Sequence, residues 1–165
     1  SVRPLVISHG ANSPRTDRSR FQLEFAWTGT ADPTPYLSVP EALRVVASQH
    51  EDGWSGLMLA NHDCIIEGRR VLCNALGVDA PCPESMLGSL ASIPLPDAPV
   101  CEPSDSSLAL DPLQDHLASN YAIEAPVFPW PDPPCRMLRV SAQAYNHPDD
   151  YQRLADVIGE ICCIN

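Results

Sequence analysis

Along residues 20–28, Phe21, Leu23, Phe25 and Trp27 alternate with Gln22, Glu24, Ala26 and Thr28. A period of two predicts a strand with one buried aromatic face. Turn residues follow, in Thr28-Gly29-Thr30 and Asp32-Pro33-Thr34-Pro35. Leu37, Val39, Leu43, Val46 and Ala47 then give a helical side, regular from about Pro40. Residues 49–53 break it. The pattern next predicts a long helix over 54–76, with Trp54, Met58, Ile65, Leu72 and Leu76 near one stripe and Leu57, Cys64 and Val71 beside it. Gly77 stands where a C-terminal cap belongs. About 23 residues span roughly 35 Å at 1.5 Å each, long enough to join two lobes.

Beyond a linker-like stretch over 78–83, the pattern predicts a strand over 86–95 and an exposed Pro-, Asp- and Ser-rich loop over 94–107. A short helix over 111–120 turns Leu113 and Leu117 inward. Residues 123–128 read as an edge strand, because Pro126 and Pro129 bracket its end, and 129–134 as a turn. Over 137–143, Leu138, Val140 and Ala142 point one way and Arg139, Ser141 and Gln143 the other. One face is packed; the other offers a cation and two hydrogen-bonding groups. A last helix starts at Pro148, with Asp149 and Asp150 complementing its dipole and Leu154, Val157, Ile158 and Ile161 inside. From about residue 78 the order is β-α-β-β-α, a small antiparallel sheet backed by helices.

Composition narrows the chemistry. All ten basic residues are arginines, and there is no lysine. The net charge of −11 makes nucleic acid a poor partner. Arg3, Arg15, Arg18 and Arg20 crowd the start, with Arg44 further on; they suit a solvated loop or an anion-facing one. The seven cysteines contain no C-x-x-C pair, and with the five scattered histidines they complete no zinc framework. They read as reduced thiols in a cytoplasmic setting. No apolar run approaches a membrane span and no signal peptide is visible. Ser1 leads directly toward Leu5-Val6-Ile7, which reads as the interior of a longer protein.

Two strings carry a resemblance. EFAWTGTADPTPYLSVPEAL, residues 24–43, and RVSAQAYNHPDDYQRLADVI, residues 139–158, resemble the class V aminotransferase family. The likeness is to its isopenicillin-N epimerase-like branch, which is related to cysteine desulfurases, and it covers nearly the whole chain in order. The resemblance implies a pyridoxal-phosphate enzyme of fold type I, usually a homodimer, acting on an amino-acid-like small molecule. It implies an α/β protein whose C-terminal lobe is α+β: residues 1–53 a remnant of the large cofactor-binding domain, 54–77 the connecting helix and 78–165 the small C-terminal domain. By position, Arg139 matches the arginine that holds the substrate carboxylate, and a planar fork suits that task. Gly29 and Thr30 match a turn that reaches the cofactor phosphate of the neighbouring subunit.

The departure from the family is large. The Schiff-base lysine and the aspartate that pairs with the pyridine nitrogen lie upstream of the matching region, so no catalytic residue is assigned here. The chain alone is expected to be inactive and to need a missing N-terminal half or a second subunit. The alternative is a non-catalytic interaction module derived from the family. A thiol enzyme using one of the seven cysteines is a third reading, with Cys101 in the Pro-rich loop; the adjacent Cys162 and Cys163 are a separate candidate redox pair. Bland readings stand beside these. A strand arginine is more often a surface ion pair; His9 reads as structural, Trp27 and Trp130 as packing, and Tyr145 and Asn146 as the strand-to-helix junction.

Overall fold

The structure is a computed structural model, and it describes residues 2–7, 9–27, 29, 31–97 and 111–162. Backbone contacts divide the chain into two units, residues 1–45 and 46–165.

In the first unit a turn of 3-10 helix (His9–Asn12) precedes α1 (Arg20–Phe25), α2 (Thr34–Leu37) and the start of α3 (Val39–Ala47). The strand expected over 20–28 is instead helix α1. Its start explains why. Ser19 Oγ accepts the Gln22 amide at 3.2 Å, and Gln22 Oε1 accepts the Ser19 amide at 3.0 Å. This reciprocal capping box satisfies amides that a strand would have needed to pair elsewhere. Phe21 and Phe25, one helical turn apart, stack at 4.5 Å. The helix turns Glu24 inward, where Arg3 meets it at 2.8 Å. Phe21 and Trp27, expected in a buried face, stay more than half exposed.

The second unit is α+β. Helix α4 (Gly53–Leu76) is followed by β1 (Leu90–Leu95), α5 (Pro112–Tyr121), β2 (Val127–Pro129), β3 (Arg136–Ser141) and α6 (Pro148–Cys162). The strands form an antiparallel sheet in the order β1-β3-β2. Leu138 on the central strand pairs with Ile93 on one side and Val127 on the other. Helix α4 packs on α6, β1 and β3. Between them lies the core, built on Ile65, Leu72, Ile93, Leu117, Leu138 and Ile158, none more than 2% exposed. Each such side chain contributes about 1.5–3 kcal/mol by leaving water. Helix α4 ends as expected: Gly77 takes φ +64°, and Val78 N donates to Cys73 O. In α5 the expected Leu113 and Leu117 are buried, and β2 sits at the edge. Residues 98–107 of the expected loop lie outside the described residues, whereas Pro94 and Leu95 belong to β1.

The buried stripe of α4 differs from the apolar pattern. Trp54 and Met58 are exposed, and Leu57, Asn61, Ile65, Gly68, Arg69, Leu72 and Cys73 turn inward. Asn61 Nδ2 donates to Gln143 Oε1 at 3.1 Å, and Arg69 Nη1 donates to Cys82 O at 2.7 Å. Two polar side chains are thus buried because distant segments supply their partners.

Gly68 lies under the ring of Tyr151, where an added Cβ would stand 2.7 Å from the ring. Gly68→Ala is therefore expected to lower stability by about 1–3 kcal/mol through overpacking. Urea unfolding monitored by far-UV circular dichroism checks this; an unchanged midpoint would contradict the close α4–α6 approach.

Candidate carboxylate-binding site

β3 places Arg139 and Ser141 on its outer side by simple alternation, with Leu138 and Val140 buried beneath. Its amide at Arg139 donates to Pro126 O at 2.9 Å, which draws the 123–126 segment alongside. The turn after β3 is held by Asn146, whose Oδ1 accepts the Gln143 amide at 3.1 Å. The first turn of α6 then brings Asp150 and Tyr151. Together these elements line an open cavity of about 340 Å³, formed by Arg139, Ser141, Tyr145, Glu124, Asp150 and Tyr151 among others.

Arg139 differs from the other nine arginines. Arg3 and Arg20 face Glu24, Arg15 and Arg18 face Asp17, and Arg44, Arg70 and Arg136 face Glu41, Glu67 and Asp111. Arg69 and Arg153 donate to the carbonyls of Cys82 and Tyr121. The guanidinium of Arg139 alone makes no hydrogen bond or ion pair with the described residues. An exposed, unpartnered guanidinium in a cavity offers a fork for a carboxylate. The N-terminal arginines are engaged by their own neighbours instead. The hydrogen bond from Arg15 holds the Asp17 carboxyl down to about 2; Arg15 and Arg18 form exposed local pairs with Asp17, whereas Arg3 and Arg20 meet the buried Glu24.

The other expected positions fall out differently. Gly29 belongs to the first unit, is exposed, takes φ +123°, and has nothing within 4 Å of an added Cβ. Thr30 lies outside the described residues, as do Cys101 and Cys163. His9 is exposed. Trp27 and Trp130 are 52% and 62% exposed, so neither is packed within the chain as expected. Asn146 does join strand to helix, and with Tyr145 it also lines the Arg139 cavity, a second role that the junction reading missed. Cys64, Cys73, Cys82 and Cys135 are free thiols; Cys73 is buried, which pushes its thiol pKa up, and Cys135 is exposed. No metal-ligand cluster exists among the described residues. No helix among them is long and apolar enough to cross a membrane.

Tyr151 forms the floor. Its hydroxyl donates to Ser141 O at 2.6 Å and faces the Cys64 thiol at 3.9 Å. Burial first, then the interaction with Cys64, raises its pKa above the ordinary value of 10.0. The unfolded chain therefore releases this proton first as pH rises. The contribution to stability is whole below about pH 10 and is lost above it. Urea midpoints are expected to fall more steeply above pH 10 in the wild type than in Tyr151→Phe. Equal slopes would place the hydroxyl in water.

Comparison with known proteins places this geometry in context. No family model matches the chain. It is 33% identical over 142 residues to an Arabidopsis thaliana protein named "Probable L-cysteine desulfhydrase, chloroplastic", covering 82% of this chain and 29% of that protein. It is 32% identical over 152 residues to the Arabidopsis thaliana "L-cysteine desulfhydrase", covering 84% of this chain and 33% of the relative. The chain spans about a third of the length of these relatives. It is therefore similar to a limited stretch of two plant proteins named as L-cysteine desulfhydrases.

Proposed function

We propose that the chain is the carboxylate-binding, C-terminal portion of a pyridoxal-phosphate-dependent lyase of fold type I that acts on a small amino acid such as L-cysteine. The unpartnered guanidinium of Arg139 in its cavity carries this reading. Both relatives described above are desulfhydrases, which favours sulfur elimination over epimerisation as the parent reaction. Arg139 would take the α-carboxylate through two parallel hydrogen bonds and so orient the rest of the substrate.

The residues present do not fit the cofactor as a complete set. A Schiff base needs a primary amine, and the chain has no lysine side chain to supply one. No catalytic step is therefore derived through the cofactor. Gly29 and Thr30 keep the role of a phosphate-facing turn only in an assembly that adds the lysine. That assembly would be this chain joined with a lysine-bearing polypeptide of the remaining two thirds, the joined protein forming a homodimer. A reducing compartment suits the thiols, whether the cytoplasm or the chloroplast named for one relative.

The test is sulfide release from L-cysteine. The chain alone is expected to release none; together with the complementary lysine-bearing portion and pyridoxal phosphate it should release sulfide. Sulfide from the chain alone would overturn the reading, and none from the assembly would favour a non-catalytic interaction module.

A further inference from the structure

We infer that Glu124 and Asp150 make the Arg139 cavity a charge filter, admitting amino acids with one carboxylate and rejecting those with two. This rests on the reading of Arg139 as a carboxylate clamp. Three elements each bring one charge to the same cavity of about 340 Å³: β3 brings Arg139, the segment before β2 brings Glu124, and the first turn of α6 brings Asp150. Neither carboxylate pairs with the guanidinium. Glu124 makes no hydrogen bond or ion pair with any described residue. Asp150 is held in place because its Oδ2 accepts the His147 amide at 2.9 Å. Its other oxygen has no partner among the described residues.

A cavity of this size with one cation and two separated anions is not a general anion site. The guanidinium satisfies the first carboxylate of a ligand. A second carboxylate on the same small molecule must then sit near Glu124 or Asp150, where like charges at short range repel. A thiol, a methyl group or an ammonium meets no such repulsion. Discrimination by repulsion is a common way to build specificity when the attractive contact is shared by all candidates. The ligand class is therefore small α-amino acids with a neutral or cationic side chain.

The probes are L-alanine and L-aspartate, which differ by one carboxylate. Each is titrated into the ¹⁵N-labelled chain, reading the β3 amides and the Arg139 Nε–H. The wild type is expected to prefer alanine by about tenfold. Glu124→Gln with Asp150→Asn, which keeps an oxygen for the His147 amide, should bring the ratio toward one. Glu124→Lys should bring aspartate to parity or better, and it tests the filter without touching the α6 start. An unchanged ratio in these variants, or equal binding by the wild type, would overturn the filter. Arg139→Ala separates the two ideas. If it abolishes binding while the acid variants leave the ratio unchanged, the filter alone fails. If alanine binding survives Arg139→Ala, the clamp and the filter both fail.

Discussion

Arg139→Ala is expected to weaken binding of a monocarboxylate amino acid by about 100-fold, from two charge-assisted hydrogen bonds worth about 1.5 kcal/mol each at an open site. Arg139→Lys should recover only part of this, because an ammonium is a point charge and cannot reproduce the fork. Stability should hardly move. The side chain is exposed and makes no hydrogen bond or ion pair with the described residues, so the urea midpoint should stay within about 0.5 kcal/mol of wild type. The pairing of the two measurements is what discriminates. A loss of stability above about 1 kcal/mol with unchanged binding would make Arg139 a structural residue of β3. The opposite result is expected, because its backbone already has its partner in Pro126 O.

Leu138→Ala should produce the other large effect, about 2–5 kcal/mol of lost stability. Leu138 is 0% exposed on the middle strand, and its register places Ile93 and Val127 on either side. Truncation there opens a cavity that neither neighbouring strand can fill by shifting, since both are fixed to β3 by their ladders. A loss of this size is a large share of the 5–15 kcal/mol typical of a domain. Leu138→Met keeps the volume and should lose less than about 1.5 kcal/mol. Met58→Ala should change stability by less than about 0.5 kcal/mol, because Met58 is exposed although the apolar pattern of α4 had placed it inside. Equilibrium urea unfolding of the three variants gives the order. A Met58→Ala loss equal to that of Leu138→Ala would mean that the buried side of α4 is wrongly placed.

Much of the second unit was legible because its elements repeat one period long enough to be unambiguous. β3 alternates from Leu138 onward, so Arg139 was found on the outer face together with Ser141. Helix α6 announces itself with Pro148, two acids and a clean inner stripe, and α4 closes on Gly77. α1 was misread because six residues cannot separate a period of two from a capped helical turn. The decisive signal was Ser19 followed three residues later by Gln22, a local cue that the aromatic alternation overshadowed. The rim of the cavity was illegible for a different reason. Glu124 and Asp150 are 26 positions apart in sequence and meet at Arg139 only through the sheet and α6; Asp150 read simply as a complement to a helix dipole.

By itself, the sequence determined the order of elements from α4 onward, the inward set of β3, the inward Leu154, Val157 and Ile158 of α6, and the absence of any lysine amine. All of these depend on local periodicity or on composition. Only the tertiary structure decided which arginine side chain has no hydrogen bond or ion pair with the described residues. Nine of the ten are engaged by carboxylates or carbonyls, several of them brought near by folding, as with Arg136 and Asp111 25 positions away. It likewise decided that Asn61 and Arg69 could be buried, since Gln143 lies 82 positions from Asn61 and the carbonyl of Cys82 lies 13 from Arg69. A polar group is buried only where a partner replaces water, and the identity of that partner is a property of the fold.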